Sequence, residues 1–280
     1  MSNIREIKQI ITGRKTSDGD GVSLTRVIGT ADLDILDPFL LLDAFGSDKP
    51  LDYIGGFPAH PHRGFETVTY MLAGKMRHKD SAGNEGIIEK GGVQWMSAGK
   101  GIIHSEMPEQ EEGLLAGFQL WVNLPAAHKM DQPRYQEFNQ SEVPVELRAN
   151  TCRLNVIAGE TMMATKGVID NDFVDPIYWD IHLSSATEFI DKIPQDHNAF
   201  IYMIEGDATI GKENKQLEAK QLAVLSLAEN IKINANSDCR FLLIAGKPLN
   251  ESVAKGGPFV MNTQAEIDQA YVDYQTGHFA

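Results

Sequence analysis

Residues 55–68 read GGFPAHPHRGFETV and carry two histidines, His60 and His62, two positions apart. Side chains at positions i and i+2 of a β-strand project from the same face, so both imidazoles can point into one pocket. A second polar cluster, His104-Ser105-Glu106, repeats this spacing further along the chain. If the two segments form neighbouring strands, we expect three imidazoles and one carboxylate to meet in a single site.

This donor set indicates a metal site. Imidazole and carboxylate together suit a borderline transition metal such as Fe(II), Ni, Cu or Zn, whereas Ca²⁺ and Mg²⁺ prefer shells made of oxygen. An octahedral metal with four protein ligands would keep two positions for a substrate and dioxygen, or for a substrate and water. A closed structural zinc site is the competing interpretation, because four protein ligands satisfy tetrahedral zinc.

The rest of the chain predicts an all-β fold. Short segments rich in β-branched and aromatic residues recur between turn residues, a pattern typical of sandwiches and barrels. The best helical periodicity comes late, at Gln264–Tyr274, and predicts a short C-terminal helix. No glycine-rich loop lies between a strand and a helix, so nothing indicates a nucleotide-binding fold.

The sequence also repeats itself. Tyr70–Met76 and Tyr202–Ala208 both read as an apolar strand, a glycine turn and a second strand, and similar segments follow each of them. We therefore predict two β-domains, residues 1–135 with the metal site and residues 136–280 without one, ending in the helical tail. The second half contains no counterpart of His104-Ser105-Glu106.

Composition restricts the function classes. The net charge of −14 argues against direct contact with nucleic acid or an anionic membrane, because both need a basic surface. Two cysteines, Cys152 and Cys239, are too few for a disulfide framework, and the first residues lack the apolar core of a signal peptide. We expect a cytoplasmic protein that does not span a membrane.

The two histidine segments resemble the two cupin motifs in the form that pirins carry. Residues 55–68 resemble the first motif and residues 94–108 the second. Further segments are similar to the pirin N-terminal strand, to a strand of its first barrel and to its closing segments; they are residues 36–43, 119–124, 244–249 and 257–263. The likeness covers most of the chain and is weakest between residues 160 and 200.

The resemblance implies a bicupin, with two jelly-roll β-barrels in tandem and iron in the first. Pirins bind iron through three histidines and one glutamate, which fall here on His60, His62, His104 and Glu106. The implied cofactor is one divalent metal, Fe(II) foremost, with Ni, Cu, Mn and Zn as alternatives. Several members are described as quercetin 2,3-dioxygenases, and the mammalian member as a nuclear coregulator of transcription.

The carboxylate of the site is left open between two residues. Many cupins use the glutamate of the first motif, which is Glu66 here, whereas the pirin pattern retains Glu106. We favour Glu106 as the ligand and keep Glu66 as an alternate ligand or supporting residue. Either glutamate is a candidate general base. We assign Phe57, Trp95 and Gln119 to the substrate pocket.

Two functions are compatible with these features. The first is a metal-dependent dioxygenase that cleaves a flavonol-like aromatic substrate with dioxygen. The second is a binding protein whose metal or redox state is read by a protein partner, without turnover. Oxygen consumption distinguishes the two.

Overall fold

Strands dominate the computed structural model of the chain, which describes residues 3–280. The predicted all-β class is confirmed. The first twelve strands are β1 (Ile7–Thr12), β2 (Arg14–Asp18), β3 (Val22–Ile28), β4 (Phe39–Ser47), β5 (Phe57–His62), β6 (Phe65–Ala73), β7 (Lys75–Asp80), β8 (Glu85–Glu89), β9 (Val93–Ser97), β10 (Ile102–Pro108), β11 (Leu115–Asn123) and β12 (Arg134–Phe138).

Twelve more strands and one α-helix follow, in addition to two single-turn 3₁₀ helices at Pro50–Asp52 and Ala126–His128. They are β13 (Val145–Arg148), β14 (Cys152–Ala158), β15 (Ile177–Leu183), β16 (Glu188–Lys192), β17 (Asn198–Glu205), β18 (Asp207–Ile210), β19 (Lys215–Glu218), β20 (Gln221–Leu225), β21 (Asn230–Ala235), β22 (Cys239–Gly246), β23 (Ala254–Gly256), β24 (Phe259–Met261) and α1 (Gln264–Thr276).

One compact unit comprises residues 14–35, 39–140 and 249–280. It contains a seven-stranded sheet, β12-β9-β6-β11-β4-β3-β2, a four-stranded sheet, β5-β10-β7-β8, and the β23-β24 hairpin. All ladders in these sheets are antiparallel, so the connections can be short. Phe45 and Met71 of the larger sheet pack with Met76 and Ile88 of the smaller one in a shared apolar cluster. The two sheets therefore enclose the interior of this unit.

The other unit comprises residues up to Gly13, residues 36–38 and residues 141–248. Its seven-stranded sheet has the order β1-β20-β17-β22-β15-β14-β13, and its four-stranded sheet has the order β16-β21-β18-β19. A large apolar cluster that draws on both sheets, including Trp179, Phe189, Ile233 and Phe241, fills its interior.

The sheet orders confirm the internal repeat position by position. Strand β6 corresponds to β17, β9 to β20 and β11 to β22, which are the segments that echo one another in sequence. The strands equivalent to β5 and β10 are β16 and β21, and neither contains a histidine.

The compact units do not correspond to a single cut of the chain after residue 135, because each unit contains segments from different parts of the chain. Strand β1 pairs with β20 and takes the place in its sheet that β12 takes in the other unit. Residues 249–280 belong to the unit that contains the two histidine segments. Backbone pairing over such separations leaves no mark in local sequence. The boundary between residues 135 and 136 thus stays a prediction about sequence domains.

Helix α1 forms where the periodicity predicts it. Thr263 caps its first turn, because the Thr263 hydroxyl accepts a hydrogen bond from the Glu266 backbone N–H and the Glu266 carboxylate accepts one from the Thr263 N–H. Gly277 ends the helix in the left-handed conformation, and Ile267 and Ala270 are the buried face.

Within the described part of the chain, no helix is both long enough and apolar enough to cross a membrane.

Candidate metal centre

Strands β5 and β10 are antiparallel neighbours, which is the arrangement that a site shared by the two histidine segments requires. His104 lies opposite His60 in the ladder, and Ile102 lies opposite His62, so all three histidines project from one face of the sheet. Their ligand atoms lie within 4.8 Å of one another. The structure therefore brings His60, His62 and His104 together as a group that can hold a metal ion.

The hydrogen bonds of β5 orient two of these rings. The Nδ1–H of His60 donates to the Pro58 carbonyl oxygen at 2.8 Å, and that of His62 to the Pro258 carbonyl oxygen at 3.3 Å. Since a carbonyl oxygen can only accept, a neutral ring in either position carries its lone pair on Nε2. The two Nε2 atoms lie 3.0 Å apart, where two lone pairs would repel each other without a cation between them.

The same separation fits a metal. Two nitrogen ligands at right angles, each about 2.1 Å from a metal, are about 3.0 Å apart. His104 adds a third donor: it is 1% exposed, and neither ring nitrogen has a hydrogen-bond partner among residues 3–280. Buried polar atoms are nearly always paired, so an orphaned imidazole beside two aligned lone pairs is the arrangement expected of a metal ligand.

The environment keeps the rings of His62 and His104 neutral in the metal-free protein. Burial, reinforced by the nearby His60, lowers the pKa of His62 to about 3. Burial and the neighbouring imidazoles also hold the pKa of His104 well below its ordinary value. Neutral imidazole is the form that coordinates a metal, so the site is ready for one at neutral pH.

These pKa values predict that acid destabilises the metal-free protein. Between pH 6.5 and about 3, His62 takes up a proton in the unfolded chain but not in the folded one, so stability falls as the pH falls through this window. From pH 7 to pH 5, His62 alone should cost about 2 kcal/mol of unfolding free energy. Urea unfolding in the presence of a chelator measures the loss, and a His62→Gln variant should show a smaller pH dependence. If the unfolding free energy of the variant depended on pH as strongly as that of the unmodified protein, His62 would not be the group responsible.

Glu106 lies on the same face of β10 as His104, two positions along, and is buried. Its carboxylate accepts a hydrogen bond from the Thr69 hydroxyl at 2.6 Å and one from the Gln119 amide at 3.3 Å. The group whose ligand atoms lie within 4.8 Å of one another consists of the three imidazoles alone, among the described residues. Glu106 is thus beside the histidines, held by two donors from the facing sheet.

Glu66 points elsewhere. Glu66 and Thr69 are three positions apart on β6, so their side chains lie on opposite faces of that strand. The Thr69 side chain is the one that reaches Glu106. Trp95 pairs with Val68, which shares the Glu66 face. Neither Glu66 nor Trp95 lines the cavity at the histidines. The fold therefore favours neither Trp95 as a pocket residue nor Glu66 as a group that reaches the metal.

A cavity of about 830 Å³ opens beside the histidines, large enough for a drug-sized molecule. Phe57 and Gln119 line it, and so do Trp121 and Phe45. The ring centroid of Trp121 lies 5.2 Å from that of His62. Aromatic side chains thus flank the space next to the candidate metal.

The cavity wall carries more acid than base. Its two cations are paired: Arg26 donates to both carboxylate oxygens of Asp43 and to Asp18, and Lys255 donates to Asp34. Burial raises the pKa of Asp43, while the Arg26 guanidinium opposes that rise. The surplus of carboxylates favours a bound cation over a bound anion.

Two family models match the chain. One, described as Pirin, matches residues 21–122, and the other, described as Pirin C-terminal cupin domain, matches residues 178–280. The chain belongs to the pirin family. The predicted all-β bicupin is thereby confirmed.

The similarity of known proteins to this pirin chain extends over almost its full length. A pirin-like protein of Caulobacter vibrioides is 48% identical over 276 residues, covering 99% of both chains. A Pseudomonas aeruginosa protein that carries the provisional name quercetin 2,3-dioxygenase is 44% identical and covers 100% of both. The crystal structure of a quercetin 2,3-dioxygenase from Acinetobacter baumannii matches with a TM-score of 0.91 at 36% identity, covering 99% of both chains.

Three features of this pirin site were missed by sequence reasoning. Trp121 had a usable signal, because it lies two positions after Gln119 and therefore shares its face. Thr69 had a weaker one, as one of two threonine hydroxyls in a largely apolar strand. Pro258 contributes a backbone carbonyl from a distant segment, for which no local signal exists.

Proposed function

We propose that this pirin is a metal-dependent dioxygenase that oxidatively cleaves a flavonol-like aromatic substrate. The observation that carries the proposal is the group of three imidazoles, His60, His62 and His104, beside a large cavity with aromatic walls. Glu106 is proposed as the fourth ligand and Fe(II) as the metal, since mixed nitrogen and carboxylate donors with open positions suit iron that handles dioxygen. The name of the similar Acinetobacter protein supports the substrate class.

The chain's own residues would handle a proton and the substrate. Glu106 lies on the cavity wall, where its carboxylate can accept the proton of a substrate hydroxyl. Thr69 and Gln119 hold that carboxylate in place from the facing sheet. A divalent metal, when bound, supplies a Lewis acid that lowers the pKa of the hydroxyl and holds the reactants together.

The cavity would select the substrate by shape and by polarity. Trp121 and Phe57 offer flat apolar surfaces on which an aromatic ring system can stack. The carboxylates of the wall disfavour a substrate with several negative charges, so a polyhydroxylated neutral molecule fits better. His62 and His104 are buried, and their burial would keep bulk water from that side of the reacting atoms.

Oxygen uptake tests the proposal directly. Protein of measured metal content is mixed with quercetin in an oxygen electrode, before and after removal of the metal with a chelator. We expect uptake that depends on metal and is restored by adding Fe(II) back. Bound metal without any uptake, across quercetin and related flavonols, would contradict turnover and favour the metal-responsive binding protein.

A further inference from the structure

A segment from the C-terminal part of the chain lies against the candidate metal centre. The Pro258 carbonyl accepts the Nδ1–H of His62, and the Val260 N–H donates to the Arg63 carbonyl at 3.0 Å. Gly257, Pro258 and Val260 also line the cavity. We call residues 257–279, which comprise this stretch, α1 and Phe279, the C-terminal clamp.

Arg63 ties the clamp to both histidine segments. It follows His62 directly, and its Nε–H donates to the Lys100 carbonyl in the loop that leads into β10. Its guanidinium forms an ion pair with Asp273 of α1 at 2.6 Å and lies 4.5 Å from the ring centroid of Phe279. The side chain is only 4% exposed, so this charge depends on Asp273 for its compensation.

Close backbone contacts reinforce the same junction. Gly64 has a φ of +85°, and a Cβ there would lie 2.1 Å from the Val260 carbonyl oxygen. That oxygen and the Gly64 carbonyl oxygen both accept hydrogen bonds from the buried Lys129 ammonium, at 3.0 and 2.6 Å. A Cβ at Gly101, three positions before His104, would lie 2.2 Å from the Phe279 carbonyl oxygen. The clamp therefore packs on the turn after His62 and on the loop before His104.

We propose that the C-terminal clamp positions the metal ligands, so that docking of α1 through Arg63 and Asp273 is coupled to metal affinity. The clamp fixes the ring orientation of His62 through Pro258, and Arg63 holds the two histidine segments in register. Groups that orient a ligand without touching the metal change metal affinity by about 10- to 100-fold. This inference rests on the proposed metal site but not on turnover.

The coupling must act in both directions. If docking of the clamp strengthens metal binding by some factor, metal binding strengthens docking by the same factor. Loss of the Arg63–Asp273 pair should therefore weaken metal binding, and removal of the metal should loosen α1. A purely structural ion pair would lower stability equally with and without metal and would leave the metal dissociation constant unchanged.

The experiment uses Ni(II), which is stable in air, as the probe. We expect Asp273→Asn to weaken Ni(II) binding by at least about tenfold in equilibrium dialysis. Asp268→Asn is the matched control, since Asp268 is exposed on the same helix and accepts a hydrogen bond from the neighbouring Gln264. Phe279→Leu, a milder change at the same junction, keeps the test valid if Asp273→Asn fails to fold. In the unmodified chain, hydrogen exchange of the α1 amides should slow when Ni(II) is added.

The outcomes separate the clamp from the proposed function. Unchanged Ni(II) affinity in folded Asp273→Asn or Phe279→Leu, together with α1 exchange that is insensitive to Ni(II), would overturn the clamp even if the protein consumed oxygen. A tenfold loss of affinity with Ni(II)-dependent exchange would support it even if no flavonol were cleaved. Failure of the unmodified protein to bind Ni(II) or Fe(II) would overturn both proposals.

Discussion

The His104→Ala variant is expected to bind Ni(II) or Fe(II) more than about 100-fold more weakly than the unmodified protein, because the removed imidazole is proposed as a direct ligand. Even groups that only orient a ligand change affinity by about 10- to 100-fold. Two imidazoles and a carboxylate held by other donors would remain. We expect metal-dependent oxygen uptake with quercetin to disappear in this variant at stoichiometric metal.

The variant should still fold. His104 is buried and has no hydrogen-bond partner within the described part of the chain, so its removal leaves no donor or acceptor there newly unpaired. Without the metal, three imidazoles crowd one pocket, with the His60 and His104 ring centroids 4.4 Å apart, and alanine relieves that crowding. Urea unfolding of the metal-free proteins checks this expectation, and His128→Ala, at a half-exposed histidine, is the matched control.

Turnover by His104→Ala at the wild-type rate would exclude the three-histidine group as the catalytic metal site. Loss of metal without any change in an already absent uptake would instead favour the binding protein that responds to its metal. Metal content and oxygen uptake must therefore be measured on the same samples, so that loss of binding is not mistaken for loss of chemistry.

The histidine group could be predicted because one local rule, applied to both segments, and one assumed pairing of their strands determine it. The i, i+2 spacing fixes which side chains share a face, and the adjacency of β5 and β10 joins the two pairs. The same alternation could have placed Trp121 on the face of Gln119. It could not have placed Trp95, because the face of that side chain depends on the register of Trp95 with Val68, which is a long-range property.

The long-range pairings were beyond sequence reasoning. Strand β1 pairs with β20, which lies more than 200 positions away in the sequence, and nothing in the residues of β1 indicates that pairing. Pro258 and Asp273 reach the metal centre through a carbonyl and through an ion pair with Arg63. Their residue types are ordinary for a turn and a helix surface, so only the fold reveals their position.

The choice between the two glutamates leads to a second prediction of large effect. Glu106→Gln is expected to lower kcat for oxygen uptake by about 100- to 10,000-fold, the range for loss of a positioned general base. Glutamine has nearly the same shape and can still accept the hydrogen bond from Thr69, so the cavity should keep its form. Initial rates with quercetin at saturating Fe(II) measure the effect, with bound metal determined in parallel.

Glu66→Gln is the matched control, because it makes the same chemical change at a residue as buried as Glu106, on the face of β6 opposite to the one from which Thr69 reaches Glu106. We expect it to leave metal affinity and kcat within about threefold and to alter stability at most, since a neutral isostere replaces a buried group that has partners of its own. A larger loss of rate or of metal in Glu66→Gln than in Glu106→Gln would reverse the assignment. If Glu106→Gln loses metal as well as rate, its carboxylate serves as a ligand, because the three imidazoles alone then do not hold the ion.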